Sequence, residues 1–201
     1  MERVTHSPTL KTLQILTGVF LVQILAGFFH VGYGLFALSL PLSVAPWTIV
    51  VSVYAHAGIV HLVGNALALA LFGLAVERIT TPVRFHLYFL VSGALAGITQ
   101  VTVSGLFGPS VSVIGASGAV FALLGYALTG NALAIGVLSR LSQRVQAGVF
   151  VLIAVVVTFL TAGPGVALLA HFTGLVIGLL AGRVRLLHTD ENTDPTTATK
   201  L

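Results

Sequence analysis

The sequence contains no cysteine and very little charge. Only 7% of its 201 residues are charged and 57% are hydrophobic, whereas about 25% of the residues in a typical soluble domain are charged. Without cysteine the chain can form no disulfide and can perform no thiolate chemistry. The composition therefore excludes an ordinary soluble globular domain and indicates a protein that lies mostly in lipid.

Apolar stretches long enough to cross a bilayer recur along the chain. A helix needs about 20 residues to cross the hydrocarbon core, and we predict six such spans, which gives an all-α, polytopic membrane protein. The first span lacks the small-residue cleavage site of a signal peptide, so we expect it to be retained. The predicted spans are residues 12–32, 48–76, 83–103, 113–136, 147–161 and 166–184.

Positive charge is absent from every second link between these spans. The links at 33–46, 104–112 and 162–165 carry neither lysine nor arginine. Because basic residues collect in cytoplasmic segments, both termini are expected to be cytoplasmic. The net charge of +4 then reflects membrane topology rather than nucleic-acid binding. The predicted organisation is a cytoplasmic N-terminus at 1–11, a six-helix transmembrane domain at 12–187 and a disordered cytoplasmic tail at 188–201.

Three polar residues are predicted to lie at one level in the outer half of the membrane. With a rise of about 1.5 Å per residue, His61 lies about 24 Å above Glu77 and His171 about 18 Å above Arg183, in a core about 30 Å thick. Ser117 lies near the outer end of the fourth span. A lone intramembrane histidine is as often a packed structural residue as a functional one. Three polar residues at one level favour a functional site.

No carboxylate reaches that level of the membrane. Glu77 lies at the inner end of the second span, and the other four acidic residues lie near the termini. This excludes an aspartyl protease, which needs two carboxyl groups that share a proton, and a zinc protease of the H-E-x-x-H type. The remaining chemistry is a hydroxyl activated by histidine without an acidic third member, and without metal or cofactor.

The sequence around Ser117 suits such a nucleophile. In Gly115-Ala-Ser-Gly118 a loop is predicted to turn into a helix, whose first N–H groups could bind an oxyanion. This tetrapeptide alone is more often a helix-packing site. The sixth span favours the nucleophile over the packing site, because His171 lies on or beside a stripe of small residues that permits close helix contact. The stripe consists of Gly174, Gly178 and Gly182.

Four blocks of sequence share the pattern of one protein family. The second span carries His61-Leu-Val-Gly-Asn65, with His56 five residues earlier, and ends in Ala75-Val-Glu-Arg78. The fourth span carries the Gly-Ala-Ser-Gly motif, and the sixth carries Ala170-His-Phe-Thr-Gly174. In these motifs the chain resembles the rhomboid family of intramembrane serine proteases, which have a six-helix core.

The resemblance implies hydrolysis of peptide bonds in or near the transmembrane segments of other membrane proteins. Ser117 would be the nucleophile and His171 its base. His61 and Asn65 would hold the oxyanion together with the backbone N–H of Ser117, and the loss of one such donor typically costs about 10²–10³ in rate. The implied substrate or water site consists of His56, Gln100, Gly115, Gly118 and Phe121.

Two positions depart from the family pattern. Trp47 is followed by Thr48 where the family has arginine, which weakens the expected anchoring of the first loop in the outer leaflet. Phe121 stands where a tyrosine often stacks on the histidine, so stacking is expected but a phenol hydrogen bond is not.

Two other functions stay open. A rhomboid-fold pseudoprotease would bind membrane clients without cutting them, although such proteins usually lack a member of the dyad. A small transporter or channel would use the polar outer cavity, although the spans lack the usual ion-coupling groups. The expected partners are transmembrane protein substrates and the lipid bilayer, with no nucleic acid. The expected location is a prokaryotic cell membrane, with the site open to the extracytoplasmic side.

Overall fold

The computed structural model describes residues 7–30, 32–163 and 165–189. These residues form eight α-helices, and the only extended pairing among them is a single bridge, so the all-α prediction is confirmed. Predictions that concern residues 1–6 and 190–201 lie outside the described residues. The helices are α1 (Pro8–Phe28), α2 (Thr48–Tyr54), α3 (Ile59–Val76), α4 (Pro82–Phe107), α5 (Ser117–Thr129), α6 (Ala132–Leu138), α7 (Gln143–Leu160) and α8 (Leu168–Arg183).

Four of these helices, α1, α3, α4 and α7, are long and apolar enough to cross a bilayer. A fifth crossing is added if α5 and α6, which meet at 69°, are one broken span. α8 is apolar but has only 16 residues, fewer than the about 20 that a crossing needs. Half of its residues are buried, because it lies among the other helices rather than in lipid. The structure thus gives four to five spans by length and composition, where the sequence predicts six.

The second predicted span is not one continuous helix, contrary to the prediction for 48–76. α2 ends at Tyr54 and α3 begins at Ile59, so His56 lies in a non-helical segment between them. The side-chain amide of Gln23 on α1 accepts from the backbone N–H of His56 at 2.8 Å and donates to its carbonyl at 3.2 Å. Non-helical backbone at membrane depth requires such partners, because lipid offers none.

α1 begins at Pro8, four residues before the predicted span. The hydroxyl of Ser7 accepts from the N–H of Leu10 at 3.2 Å and donates to Glu77 at 2.7 Å. The same carboxylate accepts from the N–H of Thr9 at 3.1 Å. A capping hydroxyl and a carboxylate both stabilise a helix N-terminus, where N–H groups lack helical partners. Glu77 therefore joins the start of α1 to the end of α3.

α5 and α8 approach each other to backbone contact. A methyl group at Gly174 would collide with the carbonyl oxygen of Gly118, and one at Gly178 with the carbonyl oxygen of Ala122. On the opposite helix, a Cβ at Gly125 would lie 2.5 Å from the carbonyl oxygen of Leu175. The structure thus places the small-residue stripe of α8 against α5, and only glycine permits this separation of the two helices.

The chain after α8 folds back onto the bundle. His188, where the tail is predicted to begin, has Nδ1 2.8 Å from the hydroxyl of Tyr126, and its carbonyl accepts from Arg84 at 3.0 Å. Burial, together with the nearby charge of Arg185, lowers the pKa of the His188 imidazole. Ordered packing therefore extends at least to His188, because Tyr126 and Arg84 offer it polar partners.

Candidate active site

Ser117 is the first residue of α5 and is half-buried. The first N–H groups of a helix have no partner within it, so those at this end of α5 can face a ligand. The preceding loop is fixed at two points. Gly115 donates its N–H to the carbonyl of Ser52 at 2.9 Å, and Val113 pairs with Leu38 through two hydrogen bonds of 2.8 Å. The nucleophile candidate therefore lies on a restrained turn.

Gly115 brings this turn against His61. Its φ is 130°, a backbone conformation that residues with a side chain rarely adopt. A Cβ at this position would lie 2.6 Å from Cε1 of His61. The imidazole of His61 therefore packs directly on the backbone two residues before Ser117, which only glycine allows.

Gly118 brings α5 against both α4 and α8. A Cβ here would lie 2.6 Å from the Cβ of Ala96 on α4 and 3.7 Å from the carbonyl oxygen of Ala170 on α8. Gly174, one turn after Ala170, contacts the carbonyl of Gly118. His171 belongs to the same turn of α8, so the turn that carries the candidate base packs on the turn that carries Ser117.

The ring of Phe121 stacks on the imidazole of His171. The ring centroids are 4.2 Å apart and the planes differ by 21°, so the stacking that the sequence predicts is present. Phe121 follows Ser117 by four residues, and residues with this spacing share one face of a helix. The ring of His171, a residue that is 8% exposed, therefore lies along the face of α5 that carries Ser117.

Gln100 and Thr161 contact the residues around the candidate base. The side-chain oxygen of Gln100 on α4 accepts from the N–H of Ala170 at 3.1 Å, and its nitrogen donates to Ser104 at 2.8 Å. Gln100 thus fixes the first turn of α8, while its predicted part in a water site stays a prediction. The hydroxyl of Thr161, just after α7, lies 3.3 Å from Nδ1 of His171. No motif or spacing in the sequence points to Thr161.

Three polar side chains lie on α3 and in the segment before it, and one of them, His61, contacts Gly115. Asn65 donates from Nδ2 to the carbonyl of His61 at 3.0 Å and is largely buried. The His56 ring meets the His61 ring edge to face at 5.2 Å. Nδ1 of His56 lies 3.1 Å from the carbonyl of Tyr54, an acceptor, so it carries the proton. Its buried Nε2 has no hydrogen-bond partner among the described residues.

No group of three or more histidine, cysteine or carboxylate side chains in 7–30, 32–163 and 165–189 could hold a metal ion. The structure packs the turn of α8 that carries His171 on the turn of α5 that carries Ser117, and it packs the ring of His61, whose carbonyl accepts from Asn65, on Gly115. This arrangement can serve a hydroxyl nucleophile, a nitrogen base and neutral hydrogen-bond donors.

A family model for the Rhomboid domain matches residues 44–188, which contain all of these residues. The chain belongs to the rhomboid family. Together with the apolar helices, this membership identifies an integral membrane protein. The resemblance that the four sequence blocks predict is confirmed.

Curated members of the rhomboid family from plants, animals and bacteria are similar to this chain. RHOMBOID-like protein 4 of Arabidopsis thaliana is 36% identical over 141 residues, which cover 70% of this chain and 34% of the relative. Rhomboid protease GluP of Bacillus subtilis (strain 168) is 34% identical over 135 residues, or 67% of this chain and 25% of the relative. Rhomboid-related protein 2 of Mus musculus is 38% identical over 79 residues, which cover 39% of this chain and 25% of the relative. The chain therefore spans about a quarter to a third of the length of these relatives.

Proposed function

We propose that this chain is an intramembrane serine endopeptidase that cleaves peptide bonds in or near the transmembrane segments of other membrane proteins. The observation that carries the proposal is the stack of Phe121 on His171, because it aligns the base with the face of α5 that bears Ser117. The family and the relative named as a rhomboid protease support the same reaction.

In the proposed reaction, Ser117 attacks the substrate carbonyl while its hydroxyl proton passes to Nε2 of His171. The tetrahedral intermediate collapses when this proton moves to the leaving amine, which breaks the peptide bond and leaves an acyl-enzyme. A water molecule then attacks the ester and loses a proton to His171, which returns it to the Ser117 oxygen. Two balanced steps thus release the two fragments and restore the dyad.

The proposed oxyanion hole uses neutral donors from two helices. Asn65 has two N–H bonds, of which one is directed to the carbonyl of His61, so a second is left for an oxyanion. The contact of the His61 ring with Gly115 holds the imidazole beside the turn that ends at Ser117. The backbone N–H of Ser117 completes the set. Preorganised donors of this kind supply a large part of the rate enhancement in acyl transfer.

We further propose six crossings, with both termini in the cytoplasm and the site open to the extracytoplasmic side. The sixth crossing would be α8, whose short length suits a helix enclosed by protein, and the fourth would be the broken pair of α5 and α6. Arg84 at the start of α4 and Arg183 at the end of α8 lie at the helix ends away from Ser117. Basic residues at those ends support a cytoplasmic location for them.

The test is cleavage of a panel of single-span substrates in liposomes, with products identified by mass spectrometry. Ser117→Ala and His171→Ala should each abolish cleavage, whereas Ser112→Ala, in the exposed loop before α5, should not. Labelling of Ser117 by a fluorophosphonate probe should also disappear in Ser117→Ala. Full cleavage by either dyad variant would refute the proposal.

The same panel separates the two alternative functions. Client binding without products or labelling would favour a pseudoprotease. Saturable solute flux that Ser117→Ala leaves unchanged would favour a transporter.

A further inference from the structure

Thr161 connects the end of α7 to the candidate base. It follows Leu160, the last residue of α7, and its hydroxyl oxygen lies 3.3 Å from Nδ1 of His171. Two backbone carbonyls of α7 lie closer to the same oxygen, that of Val157 at 3.1 Å and that of Thr158 at 3.0 Å. Three groups thus surround one hydroxyl.

The number of protons decides the direction of the contact with His171. A threonine hydroxyl has one proton and two acceptor lone pairs, whereas a carbonyl can only accept. The proton is therefore best placed towards the nearer carbonyls of Thr158 and Val157, which leaves a lone pair for the ring. Nδ1 of His171 must then be the donor.

A neutral imidazole carries a proton on only one of its nitrogens, so a protonated Nδ1 leaves Nε2 as a free acceptor. This is the tautomer that a base for Ser117 requires. In serine proteases with a triad, a buried aspartate selects this tautomer, and its replacement by asparagine costs about 10⁴ in kcat. Among the described residues here, the one carboxylate is Glu77, which is bonded to Ser7 and the N–H of Thr9 near the start of α1.

We propose that Thr161 is a positioning residue that holds His171 in the Nδ1–H tautomer and so takes over, without charge, the orienting part of a third triad member. The inference rests on the proposed function and adds to it a residue outside the dyad. A neutral hydroxyl accepts a weaker hydrogen bond than a carboxylate does. Its removal should therefore cost far less than the loss of a triad aspartate, about five- to tenfold in kcat.

The kinetic test compares two substitutions at Thr161 with one at its neighbour Thr158. Thr161→Val keeps the shape but removes the acceptor, whereas Thr161→Ser keeps the acceptor. Thr158→Val is the matched control, because the Thr158 hydroxyl is buried without a hydrogen-bond partner among the described residues. With a single-span substrate in liposomes, Thr161→Val should lower kcat about five- to tenfold at unchanged KM. The other two variants should match the unsubstituted protein.

A spectroscopic test does not depend on turnover. Nitrogen-15 chemical shifts of His171 distinguish the Nδ1–H tautomer from the Nε2–H tautomer, and they can be recorded in the inactive Ser117→Ala background. The Nδ1–H form should dominate there and lose population when Thr161→Val is added. If the tautomer ratio is unchanged, or if Thr161→Ser loses as much activity as Thr161→Val, the inference is overturned.

The two proposals fail in different ways. If the unsubstituted protein shows no cleavage that depends on Ser117, the proposed function fails, and the nitrogen shifts still decide the role of Thr161. If the protein cleaves and Thr161→Val cleaves equally well, only the role of Thr161 is refuted.

Discussion

Gly174→Ala should separate the two helices that carry the proposed dyad. The added methyl group would meet the carbonyl oxygen of Gly118, the residue after Ser117. A carbon and a carbonyl oxygen rest about 3.3 Å or more apart, so α8 must move away from α5 by about 1 Å. Overpacking of this kind costs about 1–3 kcal/mol of stability. A misplacement of about 1 Å at a reacting pair can reduce the rate about 10²-fold.

Two further variants separate the loss of geometry from the loss of stability. Gly178→Ala meets the carbonyl of Ala122 one turn further from the dyad, so it should lower Tm as much as Gly174→Ala but reduce kcat less. Gly148→Ala on α7 adds a methyl group with nothing within 4 Å, so both Tm and kcat should stay near those of the unsubstituted protein. Each variant is assayed for cleavage and for thermal unfolding in the same detergent. Full activity and stability in Gly174→Ala would refute the close approach of α5 and α8.

Three other variants test contacts around the site. Gly115→Ala should abolish cleavage and the labelling of Ser117 by a fluorophosphonate probe, because the residue has a φ of 130° and its Cβ would collide with His61. Unchanged labelling would contradict this prediction. Gln23→Leu should destabilise the fold by about 2–4 kcal/mol, since it leaves both polar backbone groups of His56 without their partner. The control is Gln14→Leu, a change at an exposed residue of α1. Equal Tm values for the two variants would argue against this prediction. Glu77→Ala should lower the free energy of unfolding by about 1–3 kcal/mol through the loss of two hydrogen bonds at the start of α1, with little change in KM. A change in KM without a change in Tm would count against this purely structural role.

The sequence predicted the parts of the site that depend on spacing along one helix. Phe121 lies four residues after Ser117, so its place on the same face follows from helix geometry alone. The glycines of α8 recur at intervals of four, which is sufficient to predict a face for close packing. The glycines that flank Ser117 predict a loop-to-helix transition at this residue, and the helix begins there.

Other features could not be predicted, because they depend on which helices become neighbours. The break at His56 has no signature in hydropathy, since residues 48–76 are apolar whether the segment is one helix or two. It is stabilised by Gln23, some thirty residues earlier, and no pattern within either segment pairs them. Thr161 likewise becomes relevant only once the chain between α7 and α8 brings its hydroxyl to His171. The start of α1 at Pro8 is, by contrast, predictable from the sequence, because a serine followed by proline is typical of a helix N-terminus.

The amide of Gln23 has a consequence for where this fold can be cut. The family match begins at residue 44, yet α1 lies wholly before that point. A fragment reduced to the matched residues would still contain every residue of the proposed catalytic machinery. It would, however, lose the side chain of Gln23, which accepts from the N–H of His56 and donates to its carbonyl. We therefore expect a fragment cut to the family match to be less stable than one that includes α1, since the backbone of His56 would lose its partners at the level of the candidate site.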